Sequence, residues 1–272
     1  MTDLINVTNN ANRIYRYDGS FDGFLTAVFN AYESKTKTAT PLSTLQTPHS
    51  VEITCLNEIQ SSLDTVVAEV QSDRIKAERV EKGIIKHIGR DGFGGVLRVF
   101  AASDANKDTA IYNFLRLAFV HGRKTLEMLG HPDVVIYNEI LNRVNYECHR
   151  MKGFVRFRET AADIMYAPIR PDHDIVEFIM PHFAGRFHIQ KFAIFDVGRK
   201  KLGLWDGKTY CVGFTDELPE IELTDEEIDL QRAWKMYYDT VTIKSRESER
   251  RRKNFMPIRY WEFMPEIKND IE

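Results

Sequence analysis

The sequence is poor in cysteine and has no long hydrophobic run. Its three cysteines, Cys55, Cys148 and Cys211, are far apart and form no CxxC pair. Disulfide frameworks, iron–sulfur clusters and structural zinc sites need closer spacing, so we expect a reducing, cytoplasmic location and no cofactor. No apolar stretch approaches the roughly 18 residues of a membrane helix. The opening MTDLINVTNN lacks a basic segment followed by an apolar one, so we expect neither a signal peptide nor a membrane partner.

The net charge is small, with 37 Lys and Arg, 40 Asp and Glu, and a formal value of −3 at pH 7. A nucleic-acid site is therefore expected only as a local basic patch. Hydrophobic residues make up 43% of the 272 positions. That composition is enough for the core of one large domain or two small ones.

Helical periodicity dominates the first half of the chain. Apolar residues recur at spacings of three and four over 21–33, behind Ser20 as an N-cap, and almost throughout 57–150. Short strands are predicted at 13–17 and 51–56, with a loop over 35–50. The glycine cluster at 92–95 precedes a predicted helix at 96–103, which is typical of a phosphate-binding turn or a plain interhelical turn.

The period changes after Gly153. Strands are predicted over 154–159, 164–169, 191–197, 201–205 and 209–214, with helices over 175–187 and from Thr224 to about Lys244. The predicted class is α+β, with a helical N-terminal half holding one or two short strands and a C-terminal half holding a mostly antiparallel sheet and flanking helices. We divide the chain into a mainly helical region, 1–152, and an α+β region, 153–272, as two domains or one continuous domain.

Two groups of basic residues are candidates for DNA contact. Arg156 and Arg158 would project from one face of strand 154–159, where they could hold phosphates or pair with acids. Segment 244–259 has seven bases and two acids. It could bind phosphates, with Tyr260 and Trp261 stacking on bases, or neutralise the acidic run 216–229. The predicted nucleic-acid-binding residues are Arg156, Arg158, Arg199, Arg250, Arg251, Arg252, Lys253 and Arg259.

Histidines and aspartates supply the candidates for acid–base catalysis. They are His149, His173, His182, Asp172 and Asp196. None has the spacing of an HExxH or HxH ligand pair, so no metal site is predicted. His182 follows an apolar run, which favours a structural role. The GxSxG motif, the nucleotide P-loop and the three-cysteine cluster of radical SAM enzymes are absent.

Several stretches resemble one bacterial family. They are YDGSFDGF at 17–24, HRMKGFVRFRE at 149–159, YAP at 166–168, PDH at 171–173, PHFAGRF at 181–187, the pair Asp196 and Arg199, and MPIRYW at 256–261. The family is assigned to DNA repair or DNA metabolism and contains a domain of unknown function. Its members are encoded beside a radical SAM protein of DNA modification or repair, and some are fused to a uracil-DNA glycosylase-like protein. The resemblance implies a DNA-linked role and a radical SAM partner, and it supplies no catalytic residues.

Three functions follow as hypotheses. The leading one is a DNA-binding accessory factor that acts with the radical SAM partner. The second is an enzyme that acts on nucleotides or DNA through the His and Asp candidates. The third is a protein-interaction scaffold. A single cleft that holds His149, Arg156, Arg158, His182 and Arg199 would favour a shared site.

Overall fold

The computed structural model describes residues 12–37, 51–56, 65–216 and 221–267. The chain forms two compact units, Met1–Arg143 and Val144–Glu272. The predicted fold class is confirmed, because the N-terminal half is helical with short strands and the C-terminal half holds a five-stranded, mostly antiparallel sheet with helices. Most of the predicted loop at 35–50 lies outside the described residues.

The first unit combines a small sheet with long helices. Its elements are β1 (Asn12–Arg16), α1 (Phe21–Lys37), β2 (Val51–Thr54), β3 (Thr65–Glu69), α2 (Arg74–Phe100), α3 (Lys107–His121) and a 3-10 helix (Gly122–Glu127), followed by the start of α4 (Pro132–Phe154). The predicted cap of α1 is confirmed, since the Ser20 hydroxyl accepts from the Gly23 N–H at 3.0 Å. Phe24 and Val28 of α1 are fully buried in the core.

The small sheet is parallel throughout, in the order β2-β1-β3. Strand β3 lies inside the stretch that the sequence predicts as helical, and that prediction is wrong for residues 65–69. Two observations explain the strand. Thr65, Val66 and Val67 are consecutive β-branched residues, which favour extended backbone, and β1 offers them a free edge with which to pair.

The glycine cluster at 92–95 lies inside a helix. Helix α2 is interrupted at Gly89, whose φ of 79° requires the left-handed region, and it continues through the cluster to Phe100. A Cβ on Gly95 would approach the Tyr137 hydroxyl at 2.9 Å, so the residue permits close helix packing. The cluster is therefore neither of the two predicted turns, and the helix that contains it begins earlier than residue 96.

The second unit is built on a sheet of order β4-β5-β6-β7-β8. Its elements are the end of α4, β4 (Arg158–Glu159), β5 (Met165–Ile169), α5 (Val176–Arg186), β6 (Phe192–Asp196), β7 (Lys201–Trp205), β8 (Tyr210–Phe214), α6 (Asp225–Val241), a 3-10 helix (Lys244–Arg246), α7 (Glu249–Phe255) and α8 (Ile258–Trp261). Only β5 and β6 pair in parallel, and α5 connects them. Strand β6 is buried along its whole length and forms the centre of this core.

The boundary between α4 and β4 differs from the prediction. Helical bonding continues to the Val155 N–H, which donates to the Met151 carbonyl at 3.0 Å. Only Arg158 and Glu159 are left in the strand, so the predicted strand over 154–159 is wrong for residues 154–157. Arg156 consequently lies outside the sheet, and the predicted common face with Arg158 does not form.

Candidate nucleic-acid interface

A buried carboxylate on α4 organises the centre of the second unit. Glu147, whose side chain is 5% exposed, accepts from the Asp172 and His173 N–H groups at 2.9 and 2.8 Å. It also accepts from Arg259 Nη2 and the Tyr260 hydroxyl, both at 2.9 Å. Burial acts to raise the pKa of Glu147, but these four hydrogen bonds outweigh it and hold the pKa below its ordinary value of 4.5. The carboxylate is therefore charged and fully engaged at neutral pH.

Arg259 is thereby neutralised from two sides. Besides Glu147, it contacts Asp172 Oδ2 at 2.7 Å. The ion pairs join the C-terminal segment to α4 and to the loop after β5. The sequence predicts that Arg259 binds nucleic acid, whereas in the structure its guanidinium is occupied by these two carboxylates.

Arg199 and Asp196 form a second internal pair. Asp196 is fully buried at the end of β6, and its Oδ2 lies 3.0 Å from Arg199 Nη1. Arg199 also donates to the Pro171 carbonyl at 3.1 Å and to the Asp172 carbonyl. The pair holds the β6–β7 turn against the loop that carries Asp172 and His173. Three of the predicted acid–base candidates, Asp172, His173 and Asp196, are thus brought together by structural contacts.

Arg156 and Arg158 contact the C-terminal segment of the chain. Arg156 Nη2 lies 2.6 Å from Glu266 Oε1, and the Glu266 side chain is 7% exposed. Arg158 donates from Nη2 to the Phe263 carbonyl at 3.2 Å. Burial lowers the pKa of Arg158 from its ordinary value, against the opposing charge of Glu227. Between the two predicted roles, phosphate contact or pairing with acids, Arg156 favours pairing with an acid, and Arg158 is engaged by a backbone carbonyl.

The C-terminal basic cluster has a different setting. Helix α7 begins behind Ser248, whose hydroxyl accepts from the Arg251 N–H at 3.3 Å, and it carries Arg250, Arg251, Arg252 and Lys253 with one acid, Glu249. Lys253 pairs with Glu249 at 2.5 Å. Arg250 and Arg251 are exposed. The helix therefore presents net positive charge to solvent.

Helix α4 contributes to the same surface. Arg150 donates from Nη2 to the Asn254 carbonyl at 2.9 Å, which places it beside α7. Its guanidinium lies 4.4 Å from the centroid of the Tyr146 ring, and Tyr146 is 56% exposed. The sequence reasoning missed both residues, although a Tyr and an Arg four positions apart on a helix indicate a cation–π contact. We call this set the α4–α7 surface: Tyr146, Arg150, Arg250, Arg251, Arg252 and Lys253.

The chain matches the model of a known protein family. A family model for a domain of unknown function, DUF4130, matches residues 105–266, which is more than half of the chain. The chain belongs to the DUF4130 family. The DUF4130 match includes the Glu147 network and the whole α4–α7 surface. No curated protein matches the chain.

The histidines of the DUF4130 region do not assemble a site. His149 and His182 are exposed, and His173 is held through its backbone at Glu147. Although the His182 side chain is exposed, desolvation by the neighbouring protein surface lowers its pKa, and the positive charges of Lys152 and Arg186 lower it further. Among the described residues, no hydrogen bond or ion pair joins His149, Arg156, Arg158, His182 and Arg199 to one another.

The aromatic candidates at the end of the DUF4130 region are mostly internal. Tyr260 is 3% exposed and its hydroxyl donates to Glu147, so it cannot stack on a base, and that prediction is wrong. Trp261 is half-buried, donates to the Met256 carbonyl at 3.0 Å and lies under Arg252. Exposed rings beside the basic cluster are Tyr146 on α4 and Phe255 at the end of α7.

Two general properties of the chain concern metals and membranes. Over residues 12–37, 51–56, 65–216 and 221–267, no three His, Cys, Asp or Glu side chains are grouped so that they could hold a metal ion. Over the same ranges, none of the helices is both long and apolar enough to cross a membrane.

Proposed function

We propose that this DUF4130 protein is a DNA-binding accessory factor in DNA metabolism, and that its α4–α7 surface contacts the DNA. One observation carries the proposal. Arg156, Arg158, Arg199 and Arg259 are engaged by internal acids and carbonyls, whereas α7 exposes Arg250, Arg251 and Lys253 to solvent beside a single acid.

The chemistry of this surface suits phosphate groups. Arg and Lys side chains on one exposed helix contribute a sequence-independent electrostatic attraction, because each phosphate contact releases condensed counterions. The Tyr146 ring, under the Arg150 guanidinium, adds a platform on which an unpaired base can stack. Such stacking contributes about 1–3 kcal/mol per base, so we expect a preference for single-stranded or locally opened DNA.

A radical SAM protein is the proposed partner, and this part of the proposal rests on the family resemblance. The three cysteines of this chain lack the spacing that binds an iron–sulfur cluster. The cluster and its chemistry are therefore assigned to the partner, while this chain supplies contact with DNA. The alternatives, an acid–base enzyme and a pure scaffold, have no comparable support from the geometry.

Fluorescence anisotropy with single- and double-stranded oligonucleotides, over a range of salt, tests the proposal. Arg250→Ala, Arg251→Ala and Lys253→Ala combined should weaken binding to both kinds of DNA. The variant should also flatten the salt dependence, by about 0.9 in slope for each duplex phosphate that the protein no longer neutralises. The matched control, with the same change in net charge, combines Lys191→Ala, Lys200→Ala and Lys208→Ala at exposed positions of the same unit.

Two outcomes would contradict the proposal: a wild-type protein that does not bind DNA at low salt, or equal salt slopes for the α7 triple variant and the control triple variant. Arg156→Ala with Arg158→Ala addresses the other predicted contacts. If that double variant is folded and binds DNA as the wild type does, the two arginines belong to the internal network alone.

A further inference from the structure

Helix α6 carries an apolar stripe that faces solvent. Leu230, Trp234, Tyr237 and Val241 follow one another at spacings of four, three and four residues, so they lie along one side of the helix. They are 63%, 43%, 58% and 52% exposed. The Trp234 and Tyr237 rings contact each other with centroids 5.7 Å apart. Contiguous exposed apolar residues of this kind mark an interaction site.

The side of α6 next to the stripe attaches it to the rest of the second unit. Glu227 is buried and accepts from the Glu159 N–H at 3.1 Å, and it accepts from Gln231 at 2.6 Å. Lys235 donates to the Glu266 carbonyl at 3.4 Å. These contacts fix the orientation of the helix and leave the stripe exposed to solvent.

The charges around the stripe are arranged by sign. Asp225 and Glu226 are exposed at the N-terminal end of α6, where the helix dipole favours acids. Beyond the C-terminal end, Lys244 and Arg246 are exposed. Among the residues that the structure describes, none of these four side chains has an ion-pair partner.

We propose that α6 is the interface of a symmetric homodimer, in which it packs antiparallel against α6 of a second copy of this chain. The spacing of four, three and four reads the same in both directions. An antiparallel copy therefore sets Leu230 against the partner's Val241 and Trp234 against the partner's Tyr237. A two-fold axis requires this kind of self-complementary surface.

The antiparallel direction also brings opposite charges together. In the antiparallel pair, the N-terminal end of α6 with Asp225 and Glu226 meets the C-terminal end of the partner's α6, just beyond which lie the partner's Lys244 and the partner's Arg246. A parallel arrangement would place acids against acids and bases against bases, which is repulsive. Charge complementarity thus selects the second copy and also its direction.

The size of the stripe sets the expected strength. Specific interfaces bury roughly 1,200–2,000 Å², and one pair of helices of this length lies at the lower end of that range. We therefore expect a weak dimer in exchange with monomer. Its four central rings, Trp234 and Tyr237 from each copy, should carry most of the affinity, as buried aromatic residues do in other interfaces.

Sedimentation equilibrium of the full chain over a wide concentration range tests the proposal. The wild type should dimerise, and Trp234→Asp should raise the dimer dissociation constant by about tenfold or more. Ile189→Asp is the matched control, because Ile189 is an exposed apolar residue of the same unit at 80% exposure and does not lie on α6. Circular dichroism of each variant verifies that it is folded.

A charge exchange tests the antiparallel direction. The variant Asp225→Lys with Glu226→Lys and the variant Lys244→Glu with Arg246→Glu should each be monomeric alone and should form a heterodimer when mixed. A wild type that remains monomeric, a dimer that Trp234→Asp leaves unchanged, or a mixture that fails to associate would overturn the proposal. None of these measurements depends on DNA binding, so the outcome is separate from that of the proposed function.

Discussion

Glu147→Gln removes the charge from the acceptor that receives four hydrogen bonds while it keeps the shape of the side chain. The carboxylate holds the Asp172 and His173 N–H groups together with Arg259 and Tyr260. Hydrogen bonds to a charged group contribute about 1.5–3 kcal/mol each, and breaking one side of a buried ion pair costs about 3–5 kcal/mol. The amide oxygen of Gln keeps part of this network, and the Arg259 side chain is 33% exposed. We therefore expect a loss of about 2–3 kcal/mol in the free energy of unfolding.

Tryptophan fluorescence during urea unfolding isolates the effect. The three tryptophans, Trp205, Trp234 and Trp261, all lie in the unit that contains Glu147. Hydrogen exchange adds a local readout, because the Asp172 and His173 N–H groups should lose protection in the variant. Glu262→Gln is the control, since Glu262 is 53% exposed and pairs with Arg170 at the surface. That change should cost no more than about 1 kcal/mol.

The pH dependence follows from the lowered pKa of Glu147. A carboxyl group with a folded pKa below its unfolded value of 4.5 contributes stability that is complete above pH 4.5 and is lost as the pH falls through the folded pKa. The difference between wild type and Glu147→Gln should therefore shrink as the pH falls below 4.5. A difference under about 0.5 kcal/mol at pH 7, or one that does not change in acid, would refute the reasoning.

Further substitutions test the packing and electrostatics of the first unit and of β7. Burial raises the pKa of Asp108 to about 6 from 3.8, so ionisation disfavours the folded state and stability falls as the pH rises through that interval. Asp108→Asn should thus stabilise the protein by roughly 2–3 kcal/mol above pH 6 and by little at pH 4, as followed by circular dichroism in urea. No gain at pH 7 would show that Asp108 is solvated. Gly203→Ala should cost about 1–3 kcal/mol, because the new Cβ would meet Met180 Sδ at 2.6 Å, and an unchanged midpoint would contradict the close packing of α5 on β7. Gly83→Ala, inside α2 with Phe119 at an ordinary 3.5 Å, should instead add about 0.5–1 kcal/mol, and a loss there would contradict the geometry of that helix.

Much of the architecture can be predicted from the local sequence. The change of period after Gly153 predicts the passage from helices to the large sheet, and Thr224 caps α6 as its position suggests, accepting from the Glu227 N–H at 3.1 Å. The Asp206-Gly207 turn joins β7 and β8, with Gly207 at a φ of 95°. These features succeed because a few neighbouring residues determine each of them.

Several of the failures share one cause, which is contact between distant parts of the chain. Strand β3 is five residues long, and its identity depends on pairing with β1, more than fifty positions earlier. Arg156 and Arg158 are attractive as phosphate ligands until Glu266 and the Phe263 carbonyl are seen beside them. Glu147 carries no sequence signal, because its partners come from the loop after β5 and from α8. Local periodicity cannot report such partners.

The two sheets differ in the length of chain that separates their paired strands. In the first sheet Arg13 pairs with Val51 and Val66, and no strand is joined to its neighbour by a hairpin. In the second sheet Trp205 pairs with Tyr210 across a short turn. Folding slows as the sequence separation of contacts grows, because loop closure costs entropy before the contacts form. On the ribosome, β1 is therefore synthesised first among the described strands and must wait for β3 before its sheet is complete, whereas β7 and β8 can pair almost as soon as they emerge.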